Sequence, residues 1–189
     1  MKKIKLLFVL VVVCISSQIF SQGFLPPEEG NAVLYFVRVS KWGGTSSFEY
    51  FHNENFIGVF KGKNYLRYEC PAGEHLFWAS SEDKEFLKCD FTAGETYMVL
   101  VNVEMGGFKA RIGLEPLTVD NEDFERAKEL INDKAPVETS ESKIQSTQKK
   151  LEDRGFIADI MEKYENDWKD APNTKVISSD MFIPKENLE

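Results

Sequence analysis

Two histidines and three cysteines are the residues of this chain whose types are best suited to chemistry. His75 follows Cys70 with four residues between them, and together with Cys89 this spacing could offer three ligands to a metal ion. Zinc sites usually show four ligands in closely spaced pairs, which these residues do not provide. We therefore predict no metal site and no cofactor.

The remaining candidates for catalysis are Ser80 and Ser81, which lie near His75 in the sequence. The chain has none of the motifs of common active sites, such as G-x-S-x-G, H-E-x-x-H or a phosphate-binding loop. His52 lies in a predicted hairpin turn, and polar turns are common without a catalytic role. We therefore predict no catalytic residues and no enzymatic activity.

Aromatic residues make up 13% of the chain, which favours strands and a thick β core. Four of them could instead form an exposed platform for a sugar, namely Trp42, Tyr50, Trp78 and Tyr97. Aromatic side chains on strands usually belong to the core. Binding of a carbohydrate or another small ligand by these aromatics is therefore the alternative function rather than the first one.

The elements that must position these side chains are short strands that follow turns. Residues 71–75 predict a turn that leads into an apolar strand, and residues 93–96 do the same before the most apolar strand of the chain. Their key positions are Pro71, Gly73, His75 and Gly94. We interpret these four residues as structural.

Apolar runs recur at the spacing of strands between Ala32 and Leu117, with turn signals between them. The pattern predicts an antiparallel β-sandwich of the immunoglobulin-like or transthyretin-like kind over residues 32–119. The first strand, residues 32–39, is apolar almost throughout, so we expect it in the middle of a sheet. Alternation in two later strands turns Cys70 and Cys89 toward the core.

The first 21 residues have the pattern of a secretory signal peptide. Three lysines are followed by an apolar run from Leu6 to Ile15 and then by small residues, with cleavage expected after Ser21. The apolar run is shorter than the roughly 20 residues that a membrane-spanning helix needs. We predict an exported protein of the periplasm or cell envelope, without a transmembrane span once the signal is removed.

Three further conclusions follow from this signal. Val13 stands before Cys14 where a lipoprotein signal has a small residue, so we do not expect a lipid on Cys14. Removal of three lysines and no acidic residue takes the net charge from −8 to −11, which argues against nucleic acid as a partner. Export also permits a disulfide between Cys70 and Cys89, although two buried thiols remain the alternative.

The rest of the chain is assigned by its change of period. Residues 22–31 are predicted to be a linker, residues 120–170 an acidic helical extension, and residues 171–189 an irregular tail. The extension carries an apolar stripe at helical spacing: Ile157, Ile160, Met161, Tyr164 and Trp168. This stripe must be buried either against the sandwich or against a protein partner or second copy of the chain.

Residues 33–117 resemble a bacterial family of domains of unknown function, the one numbered 2846. The resemblance is carried by residues 35–38, the strand around Gly58, Tyr65, residues 70–75 and residues 93–97. The turn at residues 71–75 is also similar to turns in PEGA-like and carboxypeptidase-regulatory-like β-sandwich modules. The resemblance implies a β-sandwich and an envelope location, and it implies a turn rather than a catalytic role for Gly73 and His75.

These observations together predict an exported, non-catalytic envelope module that binds a protein partner or associates with itself. The helical stripe is the expected contact surface, because it is the feature that a sandwich alone explains least.

Overall fold

The computed structural model of the protein describes residues 23–41, 46–105, 110–172 and 174–189. The predicted signal peptide, including Cys14, and Trp42 lie outside the described residues. The strands are β1 (Asn31–Arg38), β2 (Ser47–His52), β3 (Asn55–Lys61), β4 (Asn64–Pro71), β5 (Gly73–Ser80), β6 (Lys84–Phe91), β7 (Thr96–Met105), β8 (Ala110–Pro116) and β9 (Lys175–Ile177). The helices are α1 (Phe124–Asp133), α2 (Glu141–Glu152) and α3 (Phe156–Lys163), which continues into a π-helical turn (Tyr164–Trp168).

The strands form two sheets, and the predicted β-sandwich followed by helices is confirmed. The first sheet has the order β4-β1-β7-β8, and the second has the order β3-β2-β5-β6-β9. Most neighbouring strands are antiparallel, but β1 pairs with β7 and β6 pairs with β9 in parallel. Each parallel pair joins strands that are far apart in the chain, because a parallel pair needs a long crossover connection.

Strand β1 lies in the middle of the first sheet, as its apolar sequence predicts. Residues 32–37 are fully buried. Leu34 and Phe36 lie in the core between the sheets, whereas Val33 and Tyr35 lie in a second core on the outer face of the first sheet. A strand that is covered on both faces has no polar face, which explains why its sequence does not alternate.

Helices cover the outer faces of both sheets. The apolar side of α1, which includes Leu130 and Ile131, packs on the first sheet. Helices α2 and α3 and the π-helical turn pack on the second sheet, around Phe51, Trp78 and Phe86. The protein therefore has four layers, with the two sheets inside and helices on both outer surfaces.

The predicted linker and tail both contribute to this packing. The Gly23 amide donates to the Ile131 carbonyl at 3.1 Å, and the Phe24 ring packs edge-on against Tyr35. The predicted irregular tail is partly wrong, because β9 adds a strand to the second sheet. Three residues are too few to show a strand period in the sequence, so the tail gave no signal for β9. None of the described helices is long and apolar enough to cross a membrane.

Candidate functional site

The side chains best placed for chemistry meet at one end of the core between the sheets. His52 comes from the end of β2, His75 from the start of β5, and Cys70 from the end of β4. Their potential ligand atoms, one nitrogen from each histidine and the cysteine sulfur, all lie within 4.8 Å of one another. We call these three residues the histidine–cysteine cluster.

Strand alternation explains why these side chains share one space. His52 follows Phe48 and Tyr50 at intervals of two, and both of those residues belong to the core between the sheets. His75 precedes the core residue Phe77 by two positions, and its ring lies 5.6 Å from that of Phe91. The two histidines therefore point inward from the second sheet, toward the first.

Cys70 reaches the same space from the first sheet because the link between β4 and β5 is very short. Pro71 ends β4, Gly73 begins β5, and only Ala72 lies between these strands of different sheets. Gly73 has a φ of +119°, which side-chain-bearing residues rarely adopt. This tight crossing brings Cys70 and His75 to facing positions.

Hydrogen bonds run through the two histidines in one direction. The Nε2 atom of His75 lies 2.7 Å from the Pro71 carbonyl oxygen, which can only accept, so Nε2 carries the proton. The Nδ1 atom of the neutral His75 ring then accepts from Nε2 of His52 at 2.8 Å. The Nδ1 atom of His52 in turn accepts from the Tyr68 hydroxyl at 3.1 Å.

Burial among aromatic rings keeps His52 uncharged. The His52 ring stacks on Phe77 with 4.6 Å between ring centroids and 16° between planes. Burial, together with a smaller contribution from His75, lowers the pKa of His52 to about 4. Burial, together with a smaller contribution from the Glu69 carboxylate, raises the pKa of the Cys70 thiol to about 11.

These shifts decide what the cluster can do chemically. A catalytic cysteine needs a thiolate, which neighbouring cations or a helix N-terminus normally stabilise. Burial instead keeps the Cys70 thiol protonated and the neighbouring His52 ring uncharged. Two imidazoles and a thiol are, however, the ligand types that bind thiophilic transition metals.

The two cysteines that were predicted either to form a disulfide or to remain buried thiols are both free and buried. The structure therefore contains two buried thiols and no disulfide between Cys70 and Cys89. Cys89 faces His75 across the β5–β6 ladder, and its thiol approaches the Leu87 carbonyl oxygen at 3.9 Å. Burial raises the pKa of Cys89 well above its usual value, and Cys70 adds to this effect.

The structure brings together a different set of possible metal ligands from the one that the sequence suggests. That set contained Cys70, His75 and Cys89, whereas the structure brings His52 together with Cys70 and His75. Sequence reasoning placed His52 in the hairpin turn, one residue beyond the end of the strand. The signal that could have found it is the alternation of Phe48, Tyr50 and His52.

The aromatic platform proposed for sugars is not present at the described positions. Tyr50, Trp78 and Tyr97 are all fully buried, and Trp42 lies outside the described residues. Trp78 stacks on Phe51 with ring centroids 3.8 Å apart and donates its indole N–H to the Asn53 carbonyl. These three aromatics stabilise the core and are not open to a ligand.

The predicted partner face on the helices is mostly covered by the second sheet. Ile157, Ile160 and Tyr164 are buried, and Met161 and Trp168 pack against the same cluster as partly buried residues. The Phe86 ring lies 4.7 Å from that of Tyr164 and 5.5 Å from that of Trp168. The stripe therefore folds back on the sandwich, which is one of the two predicted ways of burying it.

The four predicted turn residues hold structural positions. Pro71 and Gly73 form the crossing between sheets, and the Pro71 carbonyl also orients His75. Gly94 precedes β7 with a φ of +82°, and its amide donates to the Asn31 carbonyl at 2.7 Å. Only His75 among these four has a side chain that also belongs to the histidine–cysteine cluster.

A second feature is an open cavity of about 520 Å³ on the outer face of the second sheet. It lies where β5, β6 and β9 meet α3 and the π-helical turn, and we call it the helix groove. Its apolar side chains include Leu76, Met161, Tyr164 and Val176. Its charged side chains are Glu74, Lys88, Asp90, Glu165 and Lys169.

Comparison with models of known protein families finds no match, and comparison with curated proteins finds none either. The resemblance of residues 33–117 to the family of unknown function therefore stays a prediction.

Proposed function

We propose that the chain is an exported, non-catalytic envelope module that binds a protein partner through the helix groove. The observation that carries this proposal is the composition of the groove, which combines an apolar base with charged groups of both signs. Protein segments offer apolar side chains and both charges together, and they can match such a surface. The net charge of −8 disfavours nucleic acid as the occupant.

Exposure supports the groove over the helical stripe as the contact surface. Among the described residues the large hydrophobic side chains with substantial exposure are Leu25, Val119 and Val176. Val176 has the highest exposure of the three, 51%, and it lines the groove. Most of the helical stripe, by contrast, is engaged with the second sheet, and only Met161 and Tyr164 of it also line the groove.

The non-catalytic part of the proposal rests on the state of the nucleophiles. Burial holds both thiols in their protonated form, as the raised pKa values of Cys70 and Cys89 express. The N-terminal sequence supports export, with residues 1–21 as the signal peptide. Mass spectrometry of the chain recovered from an expressing bacterium tests export, because cleavage after Ser21 would leave a chain that begins at Gln22.

Site-specific photocrosslinking in the native envelope tests the partner and the surface together. A photoreactive amino acid at Val176 reports on the helix groove, and the same amino acid at Val119 is the matched control, because Val119 is also exposed but lies outside the groove. We expect a discrete protein adduct from position 176 and none from position 119. Identical adducts at both positions, or capture of only glycan or lipid at position 176, would contradict the proposal.

A further inference from the structure

The histidine–cysteine cluster adjoins the helix groove, whose lining includes His75, but it has a property that partner binding does not use. Two imidazole nitrogens and one sulfur, provided by three strands of two sheets, face one another at the end of the core. Strands hold ligands more rigidly than loops do, which favours a preformed site. His52 and His75 are only partly buried, so an ion can reach them without opening the sandwich.

We propose that His52, Cys70 and His75 bind a single monovalent copper ion, Cu⁺. The ion would lie between the two imidazoles, in place of the proton through which His52 now donates to His75, with the Cys70 sulfur as the third ligand. Imidazole and thiolate together select soft or borderline transition metals rather than Mg²⁺ or Ca²⁺, which prefer oxygen ligands.

The groups that would orient each histidine are already in place. A metal-ligating histidine normally donates its other ring N–H to a carbonyl or a similar acceptor. The Nε2–H of His75 already donates to the Pro71 carbonyl, so the lone pair of Nδ1, which now accepts from His52, can bind the ion instead. His52 needs only to move its proton from Nε2 to Nδ1, where the Tyr68 oxygen at 3.1 Å can accept it.

Charge balance favours Cu⁺ over Zn²⁺ at this position. Binding breaks the S–H bond of Cys70, forms a sulfur–copper bond and releases one proton to solvent, while both histidines stay neutral. The resulting Cu⁺ complex has no net charge, whereas Zn²⁺ with the same three ligands would leave one positive charge beside Phe77 and Phe91. An uncompensated charge in such apolar surroundings is costly. Glu69 cannot compensate it freely, because its carboxylate pairs with Arg67 at 2.7 Å.

Titration of the metal-free full chain with Cu⁺ under anaerobic, reducing conditions tests the proposal. Every protein in the set carries Cys14→Ser, so that only the thiols of Cys70 and Cys89 remain. A chromogenic Cu⁺ chelator in competition measures affinity and stoichiometry. We expect one copper per chain, and we expect an excess of Zn²⁺ not to displace it. A stoichiometry of zero, or displacement by Zn²⁺, would overturn the proposal.

The Cu⁺ affinities of single-substitution variants show which side chains bind the ion. Cys70→Ser or His75→Gln should lower the Cu⁺ affinity by more than about 100-fold, whereas the matched control Cys89→Ser should leave it within a few-fold. Tyr68→Phe removes only the hydroxyl that orients His52, and it should lower the affinity by about 10-fold. An equal loss in Cys89→Ser and Cys70→Ser would contradict the ligand assignment.

X-ray absorption at the copper edge gives a result that does not depend on whether a variant folds. The copper-loaded chain with its site unsubstituted should show one sulfur and two nitrogen ligands. Two sulfur ligands, which would indicate Cys70 with Cys89, or nitrogen and oxygen ligands alone, would overturn the proposed site.

Discussion

The Nε2 atom of His52 lies 2.8 Å from the Nδ1 atom of His75, and the carbonyl of Pro71 determines which of the two carries the proton. Because that carbonyl can only accept, each link of the chain from Tyr68 to Pro71 has one allowed direction when both histidine rings are neutral. Both neutral rings are therefore the Nε2–H tautomer in the metal-free protein. This tautomer state is a property that solution measurements can check directly.

The first prediction concerns these tautomers. Long-range ¹H–¹⁵N NMR of the metal-free protein near neutral pH should show Nε2–H for both histidines. Tyr68→Phe should change the His52 signals, because its Nδ1 loses a donor, and should leave the His75 tautomer unchanged. The lost hydrogen bond should cost about 1 kcal/mol in the free energy of unfolding. A His75 ring protonated at Nδ1 in the unsubstituted protein would contradict the direction of the chain.

The second prediction concerns the covered stripe on α3. Ile157 is 4% exposed and packs in the cluster on the outer face of the second sheet. Ile157→Ala should therefore lower the free energy of unfolding by about 2–5 kcal/mol, as expected for a buried large-to-small change. Denaturant unfolding measures this, with Val119→Ala as an exposed control that should stay within about 0.5 kcal/mol. Equal stability of the two variants would mean that the stripe does not pack on the sheet.

Strand pattern carries most of the information that sequence provides about this fold. Side chains alternate with a period of two, so the inward positions of Leu66, Cys70 and Cys89 follow from local sequence alone. The continuous apolar run of β1 likewise predicts its central place in a sheet. The apolar stripe on α3 shows that one side is buried but not what buries it, because the covering surface comes from strands distant in the chain.

The candidate site was harder to predict because its residues meet only through the fold. Cys70 and His75 are close in sequence, but they belong to different sheets, and His52 comes from a third strand. Strand ends are the least certain part of a sequence-based assignment. Assigning His52 to the hairpin turn removed it from the inward-facing positions, although the alternation of Phe48 and Tyr50 continues to it.

The third prediction uses the unusual backbone at the crossing between sheets. Gly73 has a φ of +119°, and a Cβ atom added there would meet no atom within 4 Å. Gly73→Ala therefore tests backbone strain without a steric clash, and it should lower the free energy of unfolding by about 1–3 kcal/mol.

Gly113→Ala is the matched control for this change, measured in the same denaturant titrations. Gly113 lies in β8, and a Cβ there would make an ordinary contact of 3.6 Å with Asn102. Its φ lies outside the strained range, so the control should be neutral or slightly stabilising, by less than about 1 kcal/mol. A Gly73→Ala variant as stable as this control would show that the crossing tolerates a different backbone conformation.

The fourth prediction concerns pH and the carboxylate of Glu69. Partial burial alone would raise its pKa, but hydrogen bonds from Asn31, the Glu28 amide and Arg67 outweigh burial and hold the pKa below its ordinary value of 4.5. A carboxylate whose pKa is lowered by folding stabilises the protein above the unfolded-state pKa, and this stabilisation is lost as the pH falls through the folded-state pKa.

Glu69→Gln should therefore destabilise the protein near neutral pH and matter progressively less as the medium becomes acidic. We expect a loss of about 1 kcal/mol at pH 7, because the carboxylate is partly exposed and solvent screens it. Urea unfolding of both proteins from pH 7 down to pH 3 measures the difference, which should shrink below about pH 4.5. A difference that is constant over this range would show that the charge of Glu69 does not stabilise the protein, and that only its shape or its neutral hydrogen bonds do.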